Sequence, residues 1–328
     1  MRRFDARAML VTYAISLAVV AAVMLPALCV GSTGSGWPSA GVAALRWRTN
    51  VLPAALIGAA LSAAGLVFQA VLRNPLADPY LLGTSGGAMV AAYLWRLRAV
   101  AAVPWLAMLS PFTFALAGAL LATAIVLGLA APRGRVEPLR AILVGVIVNS
   151  LCGAIFLLLN SLIKDLPGGG AVNFLVGDIQ TTIRPLHLRI TAGVVVAGAA
   201  LLALMMPTLN VVRLSDDEAI ALGARIDRAR WAGLAVAAAM TAAAVAISGP
   251  IGFVGLICPH VARWVVGNDN RRLLPASLAL GAAVLLAADA GVRWLSGFDR
   301  VGTLLPIGIV TAVLGGPFVL VILARLRQ

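Results

Sequence analysis

The sequence is poor in charged residues, and acidic residues are especially scarce. Of its 328 residues only 11% are charged, and 12 acidic residues stand against 25 basic ones. Soluble domains carry about a quarter charged residues, so this composition disfavours a water-soluble enzyme. The 62% hydrophobic content indicates a membrane protein instead. The basic residues punctuate apolar runs and do not cluster with exposed aromatics, which disfavours nucleic-acid binding and fits a protein oriented by cytoplasmic arginines.

Cysteine, lysine and histidine are nearly absent, and this disfavours several kinds of site. The cysteines lie in or beside apolar runs without ligand spacing, so buried thiols are favoured over a disulfide or a metal site; they are Cys29, Cys152 and Cys258. The single lysine, Lys164, follows no glycine-rich stretch, whereas a P-loop needs Gly-x-x-x-x-Gly-Lys-Ser/Thr to hold phosphates. We therefore expect no metal site and no bound cofactor in this chain, and any ATP must be bound by a separate subunit.

Carboxylates are also missing from the middle of the predicted transmembrane helices, apart from Asp289 towards the outer end of the ninth. An ionisable group at the bilayer centre costs at least about 2.5–3.5 kcal/mol, so one that is kept there usually serves ion or proton coupling. Their scarcity disfavours a carrier driven by a proton or sodium gradient. An ATP-driven carrier needs no such group.

The sequence is rich in long runs without a charged residue. These runs cover 8–45, 49–72, 79–95, 99–132, 141–163, 190–212, 231–262, 273–288 and 301–324. A helix needs about 20 apolar residues to cross the hydrocarbon core, and the run 231–262 is too long for one helix and is broken at Gly249-Pro250. The glycine-rich stretch 31–38 ends the first helix, which is too long for a cleaved signal peptide. The prediction is an all-α membrane protein with ten transmembrane helices.

Arginines near both ends of the sequence predict its orientation. Arg2, Arg3 and Arg7 precede the first run, and Arg325 and Arg327 follow the last. Because positively charged segments stay in the cytoplasm, we expect both termini there, which an even number of helices satisfies. The seven tryptophans fall at or beyond predicted helix ends, at the headgroup depth that their rings favour.

The first polar interruption on the predicted cytoplasmic side runs from Gln69 to Pro79. Its two prolines end helices and fix the backbone, while Asn74 and Asp78 can cap neighbouring backbone groups. We expect a rigid turn that leads into a small-residue helix opened by a hydroxyl cap. From these residues alone, a plain connecting turn is the simpler interpretation.

The longest cytoplasmic interruption, 207–230, contains a predicted short helix between helices six and seven. Ser215 and Glu218 have the spacing of a capping box, the acidic first turn suits the helix dipole, and Gly223 can end the helix. An interfacial helix resting on lipid is the alternative, but anionic lipid repels an acidic helix start, so docking of a cytoplasmic protein is favoured. The predicted contact residues are Ser215, Asp216, Asp217, Glu218, Ala221, Leu222 and Gly223.

The third interruption runs from Gly249-Pro250 through Cys258-Pro259-His260 and on to Pro275. Together with the turn after Gln69, the 214–223 helix and the segment 305–318, it resembles the permease subunit of ABC importers for iron complexes, haem and vitamin B12. The resemblance spans residues 50–320, and its four motifs occur in the family's order. The motif residues at the inner turns are Arg73, Asn74, Pro75, Asp78, Pro259, His260 and Arg263.

This resemblance implies a single transmembrane permease domain over 1–328, in the bacterial inner membrane. It implies a homodimer with the pathway along its two-fold axis, two cytoplasmic ATPase subunits that hold ATP and Mg²⁺, and a periplasmic substrate-binding protein. The 215–223 helix would be the coupling helix in the ATPase cleft. The fifth helix would line the pathway with Asn149 and Ser150, and with Asn160 and Ser161 nearer the outer gate.

Two departures from the family pattern affect the predicted docking of the binding protein. The family often has Arg-Leu-Pro-Arg before the second helix, where this sequence has Arg46-Trp47-Arg48, and Leu304 stands where a glutamate is common. We predict docking contacts from charge and side alone, and solvated loop charge is an equal alternative. The candidates are Arg46, Arg48, Arg293 and Arg300.

The predicted function is inward transport of a bulky metal chelate by alternating access, with no catalysis in this chain. Haem is the first expected cargo, followed by ferric siderophores and then cobalamin. A gradient-driven secondary transporter is an alternative that the missing carboxylates disfavour. An intramembrane prenyltransferase-like enzyme is another, but it needs paired aspartates on inner loops, and 267–270 offers one.

Overall fold

A computed structural model describes residues 6–31, 34–95, 103, 109–132, 137–162, 176–179, 183–212, 226–296 and 305–326. These residues form helices almost throughout. A two-residue hairpin, β1 (Val30–Gly31) with β2 (Gly34–Ser35), pairs antiparallel just after the first helix. It lies in the glycine-rich stretch that the sequence predicted as the end of that helix.

The described residues contain ten helices, which confirms the predicted number. They are α1 (Ala6–Cys29), α2 (Ala40–Val71), α3 (Thr84–Trp95), α4 (Pro111–Ala130), α5 (Pro138–Leu162), α6 (Pro185–Val212), α7 (Ile226–Ser248), α8 (Val254–Val266), α9 (Asn270–Ser296) and α10 (Ile307–Leu326). Seven of these ten helices are long and apolar enough to cross a membrane; α3, α8 and α10 are the exceptions. The predicted coupling helix lies outside the described residues.

The predicted break at Gly249-Pro250 is confirmed, because α7 ends at Ser248 and α8 begins at Val254. The chain reverses into α8 through Phe253, whose φ of 70° is unusual for a bulky residue. Phe253 holds this conformation at the first cap position of α8, where its carbonyl accepts from the N–H groups of Leu256 and Ile257.

The start of α2 differs from the sequence prediction. Arg46 and Arg48 were expected just before the second helix, but both lie inside α2, which switches from α to π geometry over Trp47–Val51. The N–H of Leu52 donates to the carbonyl of Trp47, five residues back. In a regular α-helix the ring of Pro53 clashes with the carbonyl four residues earlier, and the wider π turn before it relieves that clash.

The helices pack around α2, while α1 and α5 lie at the periphery. In its most apolar stretch α2 is 78% buried inside the protein and α7 is 72% buried, against 6% for α1 and 11% for α5. Glycines bring the backbones together at the centre. A Cβ added at Gly58 would overlap the carbonyl of Gly281 in α9, and one at Gly65 would overlap the carbonyl of Gly255 in α8. Small residues allow such close crossings in membranes, where the hydrophobic effect does not drive helices together.

Two ends of the bundle can be distinguished by their contacts. We call one the Arg73 end, where Arg73 contacts the last residue of α6 and Asn210 contacts Asp269. We call the other the Arg293 end, where Arg46 and Arg293 bind carbonyls at the end of α1. The inner-turn residue Arg73 thus lies at one end, and the docking candidates Arg46 and Arg293 lie at the other.

Candidate functional site

The turn between α2 and the 3-10 helix Pro79–Leu82 is braced by its own polar side chains. The Asn74 Oδ1 accepts the N–H of Leu76 at 2.9 Å, and the Asp78 Oδ1 accepts the N–H of Tyr80 at 2.9 Å. Both are the backbone caps that the sequence predicted for this turn. Arg73 has a positive φ of 49°, and its Nε and Nη2 donate to the carbonyl of Val212 at 3.2 and 3.0 Å. The turn therefore fixes the end of α6.

The same turn also reaches the break before α8. The hydroxyl of Tyr80 accepts the N–H of Ile251 at 2.8 Å. The Asp78 carboxylate accepts backbone N–H bonds from Tyr80 and Phe253, but its burial dominates and raises its pKa from 3.8 to about 6. Burial and the nearby Asp78 charge raise the pKa of the Tyr80 phenol above its ordinary value. Turn and break thus form one hydrogen-bonded unit near the Arg73 end.

A glutamine that the sequence analysis did not single out links the turn to α8. Gln69 donates from Nε2 to the carbonyl of Leu256 at 3.0 Å and accepts from Arg263 Nη2 at 3.3 Å. Pro259 is buried within α8, and the ring of His260 packs edge-on against Trp264 at 5.1 Å. His260 Nδ1 has no hydrogen-bond partner, so this side chain packs against aromatics and caps no backbone group through that atom.

The predicted coupling residues, Ser215 to Gly223, lie outside the described residues. The ends that flank them are described: α6 stops at Val212 and α7 starts at Ile226. Arg73 holds the Val212 carbonyl, and the Asn210 side chain donates to Asp269 at 2.7 Å and accepts the N–H of Asn270 at 2.9 Å. The segment therefore departs from a firmly held point at the Arg73 end.

The four predicted pathway residues fall into two pairs on α5. Asn149 and Asn160 face α3: Asn149 accepts from the Gly86 N–H at 3.2 Å and donates to the Tyr80 carbonyl at 2.5 Å. Asn160 lies 3.4 Å from the hydroxyl of Tyr93. Ser150 and Ser161 are exposed on the neighbouring face of α5. Each pair is eleven residues apart, about three turns, which keeps its members on one side of the helix.

The predicted docking arginines have different environments. Arg48 is exposed, Arg46 is partly buried and donates to the carbonyl of Leu28 at 2.9 Å, and Arg300 lies outside the described residues. Arg293 was predicted to dock the binding protein, but it is only 5% exposed. It pairs with Asp289 and donates to the carbonyls of Ala27 in the last turn of α1 and Val30 in β1. The surface role predicted for Arg293 is therefore corrected to an internal one.

A small polar cavity of about 310 Å³ lies beside this buried pair. Asp178, Asp289, Arg46 and Arg293 are among its lining residues. Burial raises the pKa of Asp178 above its ordinary value, with a further rise from the Asp289 charge, while the N–H of Ile179 opposes the shift. The N–H of Asp178 donates to the carbonyl of Ser248 at 2.7 Å, so the cavity connects to the break after α7.

The family model of the FecCD transport family matches residues 8–325 of the chain. The chain belongs to the FecCD transport family. The matched range reaches into all ten helices described above and includes the segment between α6 and α7 that is predicted to couple to the ATPase.

The relatives of this FecCD chain are named for different cargo molecules. It is 38% identical over 276 residues to the cobalamin import system permease protein BtuC of Halobacterium salinarum, covering 84% of this chain and 71% of that protein. It is 34% identical over 279 residues to the hemin transport system permease protein HmuU of Yersinia pestis, covering 85% and 82%. Both are transport permeases, and this chain is likewise a permease subunit of an ABC importer, whose ATPase is a separate subunit and not part of this chain.

A solved structure has the same architecture as this FecCD permease. A metal-chelate-type ABC transporter in an inward-facing conformation superposes with a TM-score of 0.80 at 26% identity, covering 96% of this chain and 98% of that one. The all-α membrane fold is thereby established for the chain. The buried Asp289–Arg293 pair is the main feature that sequence reasoning missed, although the i, i+4 spacing of opposite charges in a helix could have indicated it.

Proposed function

We propose that this permease works as a homodimer in the bacterial inner membrane and moves haem from the periplasm to the cytoplasm by alternating access. A periplasmic binding protein delivers the cargo, and two ATPase subunits hold ATP and Mg²⁺, with no cofactor bound by this chain. The pathway lies along the two-fold axis, bordered by the exposed Ser150 and Ser161 face of α5. ATP binding draws the two Ser215–Gly223 helices together and switches the pathway.

The distribution of arginines supports a cytoplasmic Arg73 end. Described arginines at this end outnumber those at the other; they are Arg7, Arg73, Arg140, Arg228, Arg230, Arg263, Arg271 and Arg272, against Arg46, Arg48, Arg184, Arg189 and Arg293. Because basic residues flanking short loops remain on the cytoplasmic side, this excess favours cytoplasmic termini as well. The predicted coupling segment then faces the ATPases.

The observation that carries the cargo proposal is the combined likeness to a hemin permease and to a metal-chelate transporter. Cobalamin is the second candidate, since the BtuC relative is 38% identical. Hemin and cobalamin are both metal complexes of large rings, so a pathway wide enough for one suits the other.

Reconstitution tests the cargo. The permease, its ATPase and its binding protein are placed in proteoliposomes, and ATP-dependent uptake of haem, a ferric siderophore and cobalamin is measured in parallel. Haem uptake that exceeds the other two by about tenfold is expected, a difference of about 1.4 kcal/mol in the relevant free energies. Uptake of cobalamin without haem would establish the second candidate in its place. Uptake without the ATPase would contradict the ABC mechanism.

A further inference from the structure

A basic cavity at the Arg293 end plays no part in the mechanism proposed above. Its volume is about 670 Å³, and it lies between the first turns of α2 and the first turns of α6. The lining residues are Gly41, Ala44, Leu45, Trp47, Arg48, Thr49, Leu52, Ile183, Pro185, Leu188, Arg189 and Ala192. Two arginines line it, and no carboxylate does among the residues that the structure describes.

The two arginines are available to a ligand. Arg48 and Arg189 are both exposed, and in the described part of the chain neither guanidinium has an ion pair or a hydrogen bond to a protein group. Two unpaired guanidinium groups at one cavity repel each other and attract an anion, and guanidinium geometry matches phosphate oxygens in a bidentate manner. The cavity is therefore complementary to a phosphate group.

The remaining wall is apolar and lies at the depth of a membrane surface. Leu45 is 61% exposed beside the cavity, and Leu52, Leu188 and Ala192 continue its wall into the span. Trp47 is 38% exposed at the rim, and tryptophan favours the headgroup level of a bilayer. A phosphate site with an apolar wall fits a phospholipid, because the acyl chain can contact that wall. A soluble anion has no apolar group to do so.

The local backbone supports a built site. Arg48 and Thr49 lie in the π turn of α2, and such turns in α-helices are frequent at functional sites. Arg48 and Thr49 line the cavity together with Trp47 and Leu45. The Thr49 hydroxyl lies 3.0 Å from the Leu45 carbonyl, which stabilises this irregular turn.

We propose that this cavity binds the headgroup of an anionic phospholipid, with the phosphate on Arg48 and Arg189 and an acyl chain along Leu52 and Leu188. The proposal requires only that the chain is embedded in a membrane, and it does not depend on the identity of the cargo. It gives Arg48 a lipid ligand in place of the binding-protein contact predicted from the sequence.

Native mass spectrometry of the full-length protein tests the proposal, with phosphatidylglycerol as the probe and zwitterionic phosphatidylcholine as its control. Phosphatidylglycerol is expected to remain bound with at least about tenfold higher affinity, because each charge-assisted hydrogen bond to phosphate strengthens binding. The double substitution Arg48→Gln/Arg189→Gln should remove that preference. The matched control is Arg228→Gln, which changes an exposed arginine at the Arg73 end and should leave it intact.

A second variant keeps the test independent of the arginines. Gly41 lines the cavity, and a Cβ added there meets no atom within 4 Å, so Gly41→Trp introduces a large side chain at the cavity with room for its first carbon. It should lower phosphatidylglycerol retention at least about tenfold as well. Equal retention of both lipids, or displacement of phosphatidylglycerol by inorganic phosphate at equal concentration, would overturn the lipid proposal. The lipid proposal would also be overturned if the variants still bound phosphatidylglycerol and lost only their affinity for the periplasmic binding protein.

Discussion

The buried Asp289–Arg293 pair in α9 helps to hold the peripheral helix α1 in place. Arg293 is almost fully buried and holds both the carboxylate of Asp289 and the carbonyls of Ala27 and Val30. The last carbonyls of a helix have no partner inside it, so the bond to Ala27 caps α1, while the bond to Val30 holds the strand that follows it. The peripheral α1 is therefore attached to α9 by a charge that the membrane cannot solvate.

Replacing Arg293 by glutamine should destabilise the protein by about 3–5 kcal/mol, because Asp289 is left as an uncompensated buried charge. Chemical unfolding in detergent, followed by tryptophan fluorescence, measures the loss. The double change Asp289→Asn/Arg293→Gln should recover most of it. Arg140→Gln is the matched control, since its pair with Glu137 is half-exposed and contributes at most about 1 kcal/mol. Equal losses in Arg293→Gln and Arg140→Gln would contradict the role of the buried pair.

Asp78 gives the fold a pH dependence of predictable sign. Its pKa in the folded protein is about 6, above the ordinary 3.8, so the folded state binds this proton more tightly than the unfolded state. Its contribution to stability is therefore complete below about pH 4 and is lost as the pH rises through about 6. Asp78→Asn keeps an acceptor for the Tyr80 N–H and cannot ionise. Thermal unfolding should show the variant gaining on the native protein between about pH 4 and 6.5, with a constant difference above that range; a constant difference across the whole range would refute this.

At the scale of helices, the sequence predicted their number and most of their ends. Charge-free runs and proline positions depend on local chemistry, so the break at Gly249-Pro250 could be found from the sequence. The π turn at Trp47–Val51 could not, because nothing local distinguishes it from a loop before Pro53. The crossing of Gly65 with Gly255 was equally hidden, since the two lie far apart in sequence and each glycine alone indicates only a small side chain.

Gly65→Leu tests the crossing of α2 with α8. The added side chain meets the backbone of Gly255, which cannot move as a side chain can, so a loss of about 3 kcal/mol or failure to fold is expected. Gly193→Leu is the control, because that position in α6 is exposed and has no atom within 4 Å of an added Cβ. The midpoint of thermal unfolding in detergent compares the two. A similar shift for both variants would remove the special role of the crossing.

The predicted coupling helix leads to a test of energy transfer. Asp217→Lys/Glu218→Lys reverses its acidic first turn and should reduce cargo-stimulated ATPase activity about tenfold in the assembled transporter, as expected for about 1.4 kcal/mol of lost interface energy. Asp227→Lys is the control, because Asp227 lies in the first turn of α7, just outside the segment. Size-exclusion chromatography verifies that the variants remain folded. Unchanged stimulation in the double variant would remove the coupling role.

For the whole molecule, the sequence predicted the class of transporter better than the roles of single residues. The lack of a P-loop and of mid-span carboxylates can be seen across the whole sequence. Together they predict a permease whose energy comes from a separate ATPase subunit. Whether Arg293 faces solvent depends instead on where α1 ends in space, which no local pattern reveals. The same holds for Asn149, which proved to be bonded to the first residues of α3 and to Tyr80.

Transport should not respond to a proton gradient. In the described helices, Asp289 is paired with Arg293 and Asp227 lies in the first turn of α7, so neither offers a mid-membrane carboxylate free to exchange protons. In proteoliposomes that contain the full ABC transporter, a protonophore should leave ATP-driven uptake unchanged within error. Uptake that collapses on adding the protonophore, with ATP still present, would indicate gradient coupling.

The bond from Arg73 to Val212 has a mechanical consequence. Two nitrogens of the Arg73 guanidinium donate to the final carbonyl of α6. Arg73 itself lies just after the end of α2, which is the most buried of the seven helices long enough to cross a membrane. A displacement of the chain just after Val212 would therefore reach the most buried helix, α2, through this contact.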